Sequence, residues 1–77
     1  MSHEKLVYMA NQIGRFFAHQ PEAQAVASTA DHLRKFWDPR MRKAILDYAE
    51  QGGQGLQPPV RQAVLSLATN ASAPSPQ

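Results

Sequence analysis

Between Glu4 and His19, apolar residues recur at Leu6, Met9, Ala10, Ile13, Phe16 and Phe17. At 100° per residue they fill an arc of about 120°, the inward stripe of an amphipathic helix over 4–19. Tyr8 falls outside it, on the face shared by Glu4 and Arg15. Gly14 carries a mild helix penalty at the edge of the stripe and admits close approach of another helix. A second helix is predicted over 21–37, with Pro21 in its first turn and Glu22 near the positive end of its dipole. Its stripe is Ala23, Val26, Ala27, Ala30, Leu33 and Trp37, and Phe36 projects off it, toward Ala25, Thr29 and His32. The helix ends there because a residue preceding proline is pushed out of the α region. Asp38 then reads as an N-cap and Pro39 as the first helical position of a third helix over 39–51. Met41, Ala44, Ile45, Tyr48 and Ala49 face inward, and Gly52 and Gly53 stop the helix. After the GGQG loop, Pro58 and Pro59 open a short fourth helix over 58–68, with Val60, Val64 and Leu67 inward.

Residues 69–77, TNASAPSPQ, are rich in proline, serine and alanine and predict a disordered tail. No strand period occurs. The expected fold class is all-α: a small bundle of three to four short helices forming one domain over 1–68.

The length of 77 residues changes how such a bundle should behave. A chain this small buries only about 60% of the surface its unfolded form exposes, so its own core is marginal. Disulfides, a metal or association normally compensate. There is no cysteine, which excludes disulfides, thiolate metal sites and cysteine nucleophiles. His3, His19 and His32 have no ligand-like spacing. Association is the compensation that remains. No apolar run reaches the roughly 18 residues of a membrane helix, and the start, MSHEKLVYMANQ, lacks the layout of a secretion signal, so the expected compartment is the cytoplasm.

Charge adds one local feature. From Asp31 to Lys43, Arg34, Lys35, Arg40, Arg42 and Lys43 stand against Asp31 and Asp38, a local +3 in a chain whose total is +2. The centre of this segment, FWDPRMR, admits three readings. As a plain helix joint, Trp37 plugs the core, Asp38 caps, Pro39 starts the next helix and the arginines face water. As a docking surface, it joins the off-stripe Tyr8, Phe36 and Leu46 to arginines, a mixture enriched at interfaces. As a helix-turn-helix unit it would bind nucleic acid, but Asp47 and Glu50 interrupt the positive strip where base-reading side chains should stand. Catalysis has the least support: Asp31 and His32 are adjacent on a helix and point different ways. GGQG follows a helix, whereas a phosphate-binding loop precedes one.

Three blocks, MANQIGRFF, ADHLRKFWDPRMRKAI and GGQGLQPPVRQAV, together resemble the delta subunit of the cytoplasmic NAD-dependent formate dehydrogenases that use a molybdenum or tungsten pterin. The resemblance spans most of Met9 to Val64, and DHLRKFWDPRMR is its most specific part. It implies a non-catalytic accessory subunit associated with stability or cofactor maturation of the assembly. The bis-pterin metal centre and iron–sulfur clusters belong to the large alpha subunit in that family, and FMN, further clusters and the NAD site to others. This chain would bind no cofactor itself. The expected partner is the alpha subunit, and the expected contacts are Tyr8, Phe36, Trp37, Arg40, Met41, Arg42 and Leu46. A small helix-turn-helix-like regulator of nucleic acid is the alternative.

Overall fold

A computed structural model describes residues 2–72. Four helices follow in chain order, α1 (His3–Phe16), α2 (Glu22–Phe36), α3 (Pro39–Glu50) and α4 (Pro58–Ser72), with no strand among the described residues. The fold class is all-α.

Each helix end has a local cause. Ser2 caps α1, its Oγ accepting from the Lys5 amide at 3.2 Å. The helix stops at Phe16, short of the expected His19. The Phe17 amide is shared between Ile13 and Gly14 carbonyls, Ala18 donates to Arg15, and Gln20 donates to Phe17. These tight bonds close the chain into a turn ahead of Pro21, so His19 lies past the helix instead of in its last turn. Pro21 precedes α2 as its N-cap, one position earlier than expected. Asp38 caps α3 as expected, Oδ1 accepting from the Met41 amide at 2.9 Å, with Pro39 opening the helix. At the other end of α3, Gly52 donates to Ala49 and Gly53 to Tyr48, a Schellman closure in which both glycines hold positive φ. The fourth helix extends to Ser72, past the expected end at residue 68 and into the expected tail. The rest of that tail, residues 73–77, lies outside the described residues.

Both α1 and α4 pack on all three other helices, most extensively α4 on α2. The core joins Leu6 and Ala10 of α1, Ala30 and Leu33 of α2, Trp37, Ile45 and Ala49 of α3, and Val60, Ala63, Val64 and Leu67 of α4. Leu56 adds a side chain from the α3–α4 loop. The last helix, expected to be short, is central.

Two inward stripes are turned from their expected positions. On α1, Phe16 was expected inward and is 73% exposed. The cause is Gly14, where an added Cβ would run into the Val60 Cγ2 of α4. Gly14 lies about 80° to one side of Leu6 and Phe16 about 80° to the other. Because α4 approaches on the glycine side, the Phe16 edge rolls into solvent. On α2, Ala25 and Thr29 are buried while Ala23 and Ala27 are exposed, so the inward face is rotated by about 60° from the expected stripe. Alanine and threonine are small enough to sit under the extensive α2–α4 packing.

Candidate functional site

The α3–α4 loop shows how much of the chain is occupied with holding itself together. Three of its backbone carbonyls accept from side chains: Gly52 from Arg61 Nε at 3.1 Å, Gln54 from Tyr48 Oη at 2.7 Å, and Gly55 from Asn11 Nδ2 at 2.9 Å. Asn11 also accepts from the Gln57 amide at 3.0 Å, so one α1 side chain clamps both sides of Leu56. The loop is largely exposed apart from Gly53 and Leu56, and side chains from three helices partner its backbone groups.

The α2–α3 joint is occupied in the same way. Trp37 is 6% exposed and belongs to the core. Arg42, expected to face water or a partner, is held by the chain itself. Its Nη1 donates to the Arg34 carbonyl at 2.9 Å and to the Trp37 carbonyl, both at the C-terminal end of α2 where carbonyls lack helical partners. Lys35 pairs with Asp31 at 3.0 Å, Arg34 approaches the same carboxylate at 3.9 Å, and Lys43 pairs with Asp47 at 3.2 Å. Met41 and Leu46 are half-buried against the core, so Leu46 is not the free side chain expected. Arg40 is exposed, with no hydrogen bond or ion pair among the described residues.

What the fold leaves outside is aromatic. Tyr8 is 62% and Phe36 72% exposed, together with Phe16. These residues connect across the surface. Phe16 meets Phe17 edge-on with centroids 5.0 Å apart, Phe17 faces His32 at 6.4 Å, and His32 lies over Phe36 at 4.6 Å. On α1, Tyr8, Gln12 and Phe16 form one row at four-residue spacing, and Gln12 Nε2 donates to Tyr8 Oη at 3.1 Å. Beside this row runs a groove of about 450 Å³ lined by Met9, Gln12, Ile13, Phe16, Phe17, His32 and Trp37. The structure thus joins Tyr8, Phe36 and the edge of Trp37 to one face, and leaves Arg40, Met41, Arg42 and Leu46 off the groove. The residues missed from sequence are Phe16, Phe17, His32, Met9 and Ile13. The available signal was the pair of four-residue rows, Tyr8–Gln12–Phe16 and His32–Phe36.

A family model described as NADH-dependant formate dehydrogenase delta subunit FdsD matches residues 5–64. The chain belongs to that family. No curated protein and no solved structure matches it. The matched span runs through the whole of the clamp and the aromatic face, from Tyr8 to Arg61. Of the blocks that carry the resemblance, GGQGLQPPV is largely accounted for by the loop and its contacts with α1, and WDPRMR by the joint. The aromatic positions inside MANQIGRFF and HLRKF are not used up by the fold.

Proposed function

We propose that this chain is a non-catalytic accessory subunit that docks on the alpha, catalytic subunit of an NAD-dependent formate dehydrogenase and supports the stability or cofactor maturation of the assembly. The observation carrying this reading is the exposed aromatic face on a member of a delta-subunit family. Soluble monomers seldom keep contiguous apolar patches beyond a few hundred Å², and such patches mark interaction sites. Trp37, Met41, Arg42 and Leu46 then serve docking indirectly, by holding the scaffold, while Tyr8 and Phe36 touch the partner and Arg40 is free to do so.

The non-catalytic part rests on how the polar side chains are engaged. Asp38 caps a helix, Asp31 and Asp47 sit in surface ion pairs, and His3 and His32 lie against Tyr48 and Phe36. No group of three or more His, Asp or Glu side chains converges among the described residues. With no cysteine in the chain, the iron–sulfur clusters of the complex would be carried by other subunits, as would its pterin metal centre and FMN. No helix among the described residues is long and apolar enough to cross a membrane, and the working place we assign is the cytoplasm, beside the enzyme. The nucleic-acid alternative has weak support, since among the described residues Arg34, Lys35, Arg42 and Lys43 all have internal partners and Arg40 alone of the five cations of the α2–α3 segment has none.

A partner that binds only the native assembly stabilises it by about 2.7 kcal/mol at a free concentration of 100 Kd. The test is co-expression with the other formate dehydrogenase subunits, followed by salt washing. Retention at fixed stoichiometry identifies a permanent subunit. Release, with lower metal content of the enzyme when this chain is deleted, identifies a maturation helper. An enzyme equally loaded and equally stable without the chain, and never retaining it, would overturn the reading.

A further inference from the structure

We infer that the groove between α1 and the C-terminal end of α2 receives an apolar side chain projecting from the catalytic subunit, with carboxylates around that side chain meeting the basic α2–α3 segment. This deepens the docking proposed above and rests on it.

The groove has the anatomy of an anchor pocket. Met9, Ile13 and Trp37 line it with apolar atoms, and Phe16, Phe17 and His32 stand along its edge with Phe36 stacked on His32. Aromatic residues and methionine are the types enriched where a buried anchor seats, and a ring of neighbours that excludes water is the usual setting of an interface hot spot. No Asp, Glu, Lys or Arg lines it, so an apolar insert does not desolvate a carboxylate, ammonium or guanidinium there.

Area supports a partner larger than a small ligand. An aromatic side chain carries about 150–250 Å², so Tyr8, Phe16 and Phe36, exposed at 62%, 73% and 72%, offer about 400 Å² between them. A stable interface takes about 800 Å² from each side, of which these rings supply roughly half before the groove and the intervening residues are counted.

Charge separates the two kinds of protein partner. A second copy packed on this face would bring one +3 segment, Asp31 to Lys43, toward another. Like charges brought together across an interface are unfavourable, whereas a partner bearing carboxylates beside its apolar anchor complements both features. Arg40, exposed and unpaired among the described residues, is available to such a carboxylate.

The experiment compares the full-length chain and three variants, each co-expressed with the remaining formate dehydrogenase subunits and scored by retention on a tagged catalytic subunit. The double variant Phe16→Ser with Phe36→Ser removes the rim rings. Gln12→Trp keeps the aromatic surface but fills the groove. Gln62→Ser, on the exposed side of α4, is the control. Melting of each isolated chain confirms that folding is kept. We expect at least tenfold lower retention for the first two and unchanged retention for the control. Wild-type retention with both face variants retained equally well overturns this inference and leaves the accessory-subunit reading standing. A wild-type chain that no subunit retains overturns that reading and this inference together. If sedimentation shows a wild-type dimer that the face variants convert to monomer while subunit retention is unchanged, a second copy occupies the groove and the inference is wrong.

Discussion

The two flanks of α1 meet opposite surroundings. On one, Asn11 clamps the α3–α4 loop through Gly55 and Gln57, and Gly14 lets α4 approach so closely that a methyl group would collide with Val60. On the other, Tyr8, Gln12 and Phe16 face solvent beside an open groove. Both flanks lie within one family block, MANQIGRFF, or a residue from it. A motif of this kind therefore mixes residues that hold the chain together with residues that look outward, and only the surroundings sort them. The clamped flank also causes the open one, because the close approach at Gly14 is what turns Phe16 out of the core.

The largest effect is expected at Trp37, which belongs to both regions. It is a core residue that also lines the groove. Trp37→Ala should cost about 3–5 kcal/mol. For a chain this small, at the low end of the usual range of about 5–15 kcal/mol, that brings the isolated chain to or near its midpoint at room temperature. Circular dichroism during urea titration measures it. A loss under about 1 kcal/mol would move Trp37 from the scaffold to the docking face.

Next comes Asn11. Its side chain donates once and accepts once across the loop, and each such bond contributes about 0.5–1.5 kcal/mol net. Asn11→Ala should therefore cost about 1–3 kcal/mol and speed amide exchange at Gln57. Asn11→Asp keeps the acceptor for Gln57 while losing the donor to Gly55, and should fall between the two. Equal effects for Ala and Asp would mean that the donor bond alone holds the loop.

Much of the scaffold was legible in the letters, and the reasons are local. Asp38 with Pro39 at the start of α3, and Gly52 with Gly53 at its end, are decided by neighbours a few positions away. On α3 all five expected residues meet the core, but the fully buried pair, Ile45 and Ala49, lies toward one edge of the expected stripe, which also brings Leu46 in. What failed depends on distant partners. The roll of α1 is set by Val60, the burial of Thr29 by the packing of α4 on α2, and the burial of Leu56 by α1 and α4 closing over a loop that reads as a plain stop. Of the exposed aromatic face, Tyr8 and Phe36 were visible as residues off their stripes. Phe16 and Phe17 were hidden because they continue a stripe whose centre the rest of the chain shifts.

Gly14 tests the link between the flanks. Overpacking a filled core costs about 1–3 kcal/mol. Replacing a helical glycine by alanine returns about 1 kcal/mol of propensity. Gly14→Ala should thus destabilise by about 1 kcal/mol, and become neutral or stabilising when Val60→Ala makes room. The double-mutant cycle reads the coupling directly. Additive effects would show that the two side chains do not compete for the same space, and the account of why Phe16 faces outward would fail with them.

The smallest effect is expected at Arg40, and its contrast with Arg42 locates the border between the two regions. Both arginines lie in the first turns of α3, where positive charge meets the unfavourable end of the helix dipole. Arg42 has a local reason to be there: it is half-buried and donates to the carbonyls of Arg34 and Trp37. Removing it should cost about 1 kcal/mol or more, because those carbonyls lose their charged donor. Arg42→Lys should recover only part of this, since a point charge replaces the planar fork. Arg40 has no such bond among the described residues, so Arg40→Ala removes an unfavourable dipole interaction of about 0.3–1 kcal/mol and little else. The isolated chain should be unchanged or slightly more stable, and at about 4–8 °C per kcal/mol for a domain near this size its melting point should rise by no more than about 8 °C. Salt should shrink the gain, because the interaction is exposed and screened. A melting point that falls by more than about 4 °C would mean that Arg40 is held from within like Arg42, and would place it with the clamped half of the molecule.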